Sequence, residues 1–212
     1  MVGQFDDCNR LRRGSVWDGI GVRITPVLVR FLAIPLLLAL PFDAGAADSV
    51  GTVTRIQNQA QIGAVAAVAG APVHMNDRLR TGANARLEVT FNDNSVLTLG
   101  ENANVAIDRY VYNPAKSTGE LALNATRGAF RFAGGGIEKL QKKTVTVSTP
   151  VAAMAVRGTD FWAGPIDGKY GVYLLKGKVG VSNRAGAVTL SVPGTGTDIP
   201  LRGRGSRKKA RG

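Results

Sequence analysis

From Val50 onward apolar and polar residues alternate in short runs, each bounded by Gly, Asn, Asp or Pro. That period-two pattern predicts strands whose one face meets a core, separated by tight turns. Residues 51–56 form the first such run, and residues 64–69, bracketed by Gly63 and Gly70, are read as a second strand in preference to a small helical turn. Leu87, Val89 and Phe91 share one face, Asn92-Asp93-Asn94 tolerates a left-handed turn, and residues 96–99 return as a hairpin. Residues 105–107 and 119–123 follow as strands, joined by a loop through Asn113-Pro114. Residues 128–132 make another strand, closed by Gly134-Gly135-Gly136, which is read as a flexible loop. The triple glycine has no lysine at P-loop spacing, which argues against a phosphate cradle. Residues 137–143 suggest a brief helical turn with Lys139, Lys142 and Lys143 outward. Residues 144–148, 161–163, 170–175, 179–182 and 188–192 complete the strands, with a turn at 164–168.

Many short strands at nearly regular spacing predict an all-β domain over residues 47–192. A compact solenoid-like or jelly-roll arrangement is expected, with a β-sandwich as the alternative. No fixed repeat period survives counting.

The ends of the chain differ from this body. Residues 1–30 are polar and carry Arg10, Arg12, Arg13, Arg23 and Arg30; residues 27–42 are apolar except for Arg30; Ala44-Gly45-Ala46 follows. A basic leader, a short apolar stretch and a small-x-small exit predict a secretory signal peptide over residues 1–46, with a possible true start near Val22. The alternative is an uncleaved membrane anchor. Residues 194–200 read as a linker, and the terminal segment carries Arg202, Arg204, Arg207, Lys208, Lys209 and Arg211 without a large apolar residue. Residues 193–212 are therefore expected to be a linker and a disordered basic tail.

Composition adds compartment and excludes chemistry. Glycine is abundant at 27 of 212 residues and aromatics make only 6%, which favours turns over a helical core. The net charge of +12 owes much to the tail. Such a tail suits an anionic surface, a membrane or lipopolysaccharide, at about 1 kcal/mol per basic residue close to it. Nucleic acid fits less well, because no aromatics interleave for base stacking. The one cysteine, Cys8, lies in the expected leader, so the exported body needs no disulfide. His74 is the sole histidine and is read as a surface or turn residue; no metal site or cofactor is expected. Asp77, Asp93, Asp160 and Asp167 are scattered through turns and make no acid–base pair, so no catalytic residue is assigned. Arg157 with Asp160 is the one polar constellation singled out. It reads first as an ion pair pinning a turn, and second as a contact surface for a partner.

Three ordered blocks carry a resemblance. The first runs from Asp77 through Thr81-Gly82 to Leu87, Phe91, Asp93 and Ser95; the second is Thr149-Pro150, a small apolar run, then Val156-Arg157-Gly158-Thr159 and Phe161; the third spans Val172 to Val179 with Gly177. Together they resemble the FecR (ferric citrate regulator) domain family, and their residues are read as structural. Asn94 stands where the family has glycine. The resemblance implies a periplasmic domain that receives a signal from an outer-membrane receptor and passes it to a sigma factor. This chain departs from that plan, since the segment before the apolar run is too short for the cytoplasmic sigma-factor-binding region. The leading expectation is a stand-alone, exported, non-enzymatic signalling module in a Gram-negative periplasm, binding an envelope protein. A membrane-anchored sensor and a wall- or carbohydrate-binding module are the alternatives.

Overall fold

The alternation of apolar and polar positions is realised as ladder after ladder of mainly antiparallel strands in residues 48–200, the part of the chain that the computed structural model describes. The strands are β1 (Ser49–Gln57), β2 (Ala60–Ile62), β3 (Val65–Ala66), β4 (Pro72–His74), β5 (Arg78–Thr81), β6 (Arg86–Phe91), β7 (Val96–Leu99), β8 (Asn104–Asn113), β9 (Thr118–Arg127) and β10 (Phe130–Ala133). A single 3₁₀ turn at Ile137–Lys139 precedes β11 (Lys142–Ser148), β12 (Ala153–Ile166), β13 (Lys169–Asn183), β14 (Gly186–Leu190) and β15 (Gly196–Pro200). They form one 15-stranded sheet in the order β3-β2-β5-β8-β9-β11-β12-β10-β7-β6-β1-β4. β13 lies along the other edge of β12 and carries both β14 and β15 on its outer edge. The all-β class is met, and the arrangement is one sheet curled on itself around a single cluster of buried side chains.

Period two explains which residues fill that cluster. Leu87, Val89 and Phe91 of β6, Leu97 and Leu99 of β7, and Leu121, Leu123 and Ala125 of β9 all point inward. Phe161 of β12 is fully buried between Phe130 and Phe132 of β10, its ring centroid 5.8 Å from the first and 6.3 Å from the second. The Phe130 contact is edge-to-face, an orientation that aromatic quadrupoles favour. The β6–β7 hairpin closes as expected, with Asn94 at φ 63°. Asparagine tolerates that conformation because its short polar side chain bonds locally.

Three differences from the sequence expectations stand out. Only Val65–Ala66 of residues 64–69 is a strand, and Val65 and Val68 stay exposed; the run lies at a sheet end where no second layer covers it. β9 and β11 pair in parallel, which adjacent hairpins alone would not produce. Residues 196–200, expected as linker, are β15, paired with residues 169–173 of β13, and Ile199 is buried. Gly and Thr masked that strand, because neither marks a buried face in a sequence. The expected signal peptide (1–46) and the basic tail from Arg202 to Arg211 lie outside the described residues. Among the described residues no helix is long and apolar enough to cross a membrane.

Replacing Phe161 by alanine removes the ring at the centre of the aromatic cluster and should lower unfolding free energy by about 3–5 kcal/mol. A urea titration of the domain checks this; a loss under about 1 kcal/mol would contradict the central placement.

Candidate functional site

The second sequence block sits where β12 changes partner. Its residues Ala153, Met154 and Ala155 pair with β11, whereas Asp160, Phe161, Trp162 and Ala163 pair with β10. Residues 156–159 therefore have no strand on that side, and the β12–β13 register slips there as well. Backbone groups left unpaired in a folded interior are costly, so each must find another partner. Thr159 supplies most of the answer. Its hydroxyl donates to the carbonyl of Lys178 at 2.6 Å and accepts the N–H of Arg157 at 3.0 Å. Its own N–H donates to Glu138 Oε2 at 2.8 Å, and its carbonyl accepts the N–H of Gly134. Gly158 takes φ 63° and Gly177, across the hairpin, φ 84°. A side chain at Gly177 would collide with the Gly158 carbonyl, while one at Gly158 would meet open space.

The first block builds a second knot beside the first. Asp93 and Ser95 are both 1% exposed. Asp93 accepts the Ser95 hydroxyl at 2.6 Å, the Ile137 N–H at 2.9 Å and the Tyr110 hydroxyl at 3.3 Å. Ser95 Oγ in turn accepts the N–H of Gly135, and the Asp93 carbonyl accepts that of Gly136. The triple glycine is thus not a flexible loop. A Cβ at Gly135 would overlap the backbone of Asp93, Asn94 and Ser95, so glycine is required by close approach rather than by mobility. Burial and the Asp93 charge together raise the Tyr110 hydroxyl well above its ordinary value, so it remains a donor.

The remaining motif residues are also staples. Asp77 accepts the His74 N–H at 2.7 Å, with His74 Nδ1 3.6 Å away. Thr81 Oγ1 donates to the Gly100 carbonyl and accepts the Ala103 N–H, and Gly82 donates its N–H to the Gln59 carbonyl. Thr149 Oγ1 accepts the Ala152 N–H, closing the β11–β12 turn through Pro150. Val156 and Phe161 are core.

Arg157 and Asp160 are not paired with each other. The intervening left-handed Gly158 turns Arg157 out to solvent, where its register partner is Lys178. Asp160 instead receives a two-pronged bond from Arg131, at 2.8 Å and 2.6 Å. Two like charges directly opposite on a ladder are unfavourable. Among the described residues neither Arg157 nor Lys178 has an ion-pair partner.

Glu138 is a residue the sequence reading missed. Its carboxyl lies over Gly134, with Oε2 on the Thr159 N–H and Oε1 buried without a partner. Burial pushes its pKa up, against the backbone N–H groups of Thr159 and Gly158 and the Lys143 charge. A glutamate inside a lysine-flanked helical turn looks like an ordinary surface residue, so nothing in the sequence signals it. Among the described residues no three His, Cys, Asp or Glu side chains gather as a metal site.

Both glycines of the pivot should be testable by alanine. Gly177→Ala meets backbone as well as an unfavourable φ and should cost more than about 2 kcal/mol, whereas Gly158→Ala faces only the conformational penalty, about 1 kcal/mol. Thermal unfolding of both variants checks the order, and equal losses would contradict the predicted clash. Glu138 gives a pH test. A carboxyl raised by burial is penalised as an anion above its folded value, and the penalty is relieved as pH falls through that value toward the ordinary carboxylate range. The stability of the native protein relative to Glu138→Gln should therefore rise between about pH 7 and about pH 4.5. Paired urea midpoints measure it, and a flat or falling difference would overturn the assignment.

Comparison with known proteins follows the same residues. The model of the family described as FecR protein matches residues 77–180, which span the Asp93 knot, the pivot and Gly177. No curated protein matches the chain. Two crystal structures described as a "putative anti-sigma factor" from Parabacteroides distasonis ATCC 8503 are similar, at 2.50 and 1.65 Å resolution. They are 16% and 18% identical with TM-scores of 0.46 and 0.43, each match covering 58% of this chain. The chain spans 59% of the length of each. Residues 77–180 of this chain thus carry a match to the FecR family.

Proposed function

We propose that this chain is an exported, non-enzymatic signalling module that holds an envelope protein by accepting a strand at the free edge of β14. The coarser part, a regulatory or signalling module, follows from the FecR family. The observation that carries the finer part is the character of the sheet's edges. Terminal strands are usually guarded by shortness, proline or charge. β3 has two residues, β4 starts at Pro72, and β15 ends at Pro200 and holds Asp198 against Lys169. β14, Gly-Ala-Val-Thr-Leu, pairs only with β13 and has none of these guards.

Strand addition supplies affinity through main-chain bonds and leaves specificity to side chains nearby. Val188 is 42% exposed at the edge, Lys178 of β13 stands just past the last β13–β14 pair, and Arg157 lies one strand further in. An added strand with acidic residues at that end would relieve the like-charge pair. The periplasmic placement rests on the leader pattern of residues 1–46, and the tail from Arg202 to Arg211 would add general attraction to an anionic membrane.

Two measurements test this. A photo-crosslinker at Thr189 in the cell envelope should capture a discrete protein. Charging the edge with Ala187→Lys and Thr189→Lys should abolish that capture while leaving the melting temperature within about 3 °C. Undiminished capture by the charged variant would reject strand addition. Intact mass of the envelope protein should give Ala47 as its first residue, and a retained apolar segment would reject release into the periplasm.

A further inference from the structure

Away from the β14 edge, the outer face of β6, β7, β10 and β12 bears a cleft of about 690 Å³. That volume lies in the range of small-molecule sites. Glu88, Thr98, Arg131 and Trp162 form one cross-strand row along it, each opposite the next in register. With strands about 4.8 Å apart, the row runs roughly 14 Å from carboxylate to indole. Its floor is low because Gly100 and Ala129 occupy the neighbouring row. Gln57, Arg86 and Glu101 line it as well.

Trp162 is laid flat by two glycines. A Cβ at Gly164 would come within 3.2 Å of its Cζ2, and one at Gly171 within 3.5 Å of its Cζ3. Gly164 and Gly171 are themselves register partners, so the six-membered ring lies over the pair, partly buried, at the end of the cleft. Its neighbour Arg131 is held by the two hydrogen bonds it donates to Asp160, which leave the guanidinium oriented with donors to spare. Glu88 is held by the Thr54 hydroxyl at 3.0 Å, and Glu101 accepts the Asn84 N–H at 3.0 Å. The wall groups are thus pre-set, which lowers the entropy a ligand must overcome.

We propose that this cleft is a binding site for an oligosaccharide. Three observations choose the ligand class. The charges along the walls are balanced, Arg86 and Arg131 against Glu88 and Glu101, so the cleft has no bias toward a polyanion. It lies on a sheet face whose strands β6, β7 and β10 are paired on both edges. An extended peptide would find no free main-chain groups there. What the cleft offers is a flat aromatic surface beside fixed donors and acceptors of both kinds. A sugar ring presents the complement: an apolar C–H face and hydroxyls that each donate and accept. The reading goes beyond the protein contact at β14 and is independent of it.

The test is titration of the full-length protein with soluble tetrasaccharides of glucose, N-acetylglucosamine, galactose and mannose, followed by calorimetry and by tryptophan fluorescence. The chain has two tryptophans, Trp17 and Trp162, and the Trp162→Ala variant isolates the Trp162 signal. At least one tetrasaccharide should bind, and Trp162→Ala should weaken it at least tenfold. Because removing the indole uncovers two glycines, Glu88→Gln provides a second variant, expected to weaken binding at least fivefold with unchanged melting temperature. Failure of all four sugars to bind, or equal binding by both variants, overturns the proposal. Trp162-dependent retention on an immobilised unfolded polypeptide instead would assign the cleft to peptide and overturn it as well.

Discussion

A strand that serves two partners on one edge must break its ladder somewhere, and every backbone group released at the break needs a new bond. β12 faces this problem at residues 156–159, between its pairings with β11 and β10. The solution combines a left-handed glycine, a threonine hydroxyl that both donates and accepts, and a carboxylate brought in from the 3₁₀ turn. Val-Arg-Gly-Thr is the local chemistry of that break. Remove any part and unpaired polar groups remain in a low-dielectric interior, where they weigh more than in water.

The Asp93 knot depends on the same break. Gly134 bonds to Thr159, Gly135 and Gly136 bond to Ser95 and Asp93, and Ile137 bonds to the Asp93 carboxylate. One glycine-lined segment therefore ties the β6–β7 turn to the β12 pivot. Asp93 is buried among neutral donors, which satisfy an anion without an opposing charge. Glu138 is less well served, since one oxygen is buried and unpartnered. The two blocks far apart in sequence are thus neighbours in a single hydrogen-bonded unit. The Asp93, Ser95 and Thr159 side chains direct their hydrogen bonds inward, and the two surfaces proposed for recognition lie at the β14 edge and the Trp162 cleft.

Those surfaces differ in kind. The β14 edge offers main-chain groups and a run of small and apolar side chains, whereas the Trp162 cleft offers side chains on a fully paired face. The two ligands proposed for them would meet different groups and would not compete.

The alternation of Leu87, Val89 and Phe91 and the left-handed tendency of Asn92-Asp93-Asn94 were enough to place a hairpin, because side-chain period and turn chemistry are local properties. Pro150 and Gly158 marked a break for the same reason. The sequence also carried the three motif blocks in order, and with them the FecR resemblance. Tertiary structure alone decided the rest. Whether Asp160 meets Arg157 or Arg131 depends on one φ angle and on which strand lies alongside, and neither is written in the spacing of charges. The triple glycine looked loose because close backbone approach and free rotation call for the same residue. Residues 196–200 looked like linker because a strand of Gly, Thr and Asp is made by the open edge of β13, not by its own propensity. Glu88, Thr98, Arg131 and Trp162 come from four separate strands; only the register of the sheet aligns them, and register is set by long-range pairing that no local pattern encodes.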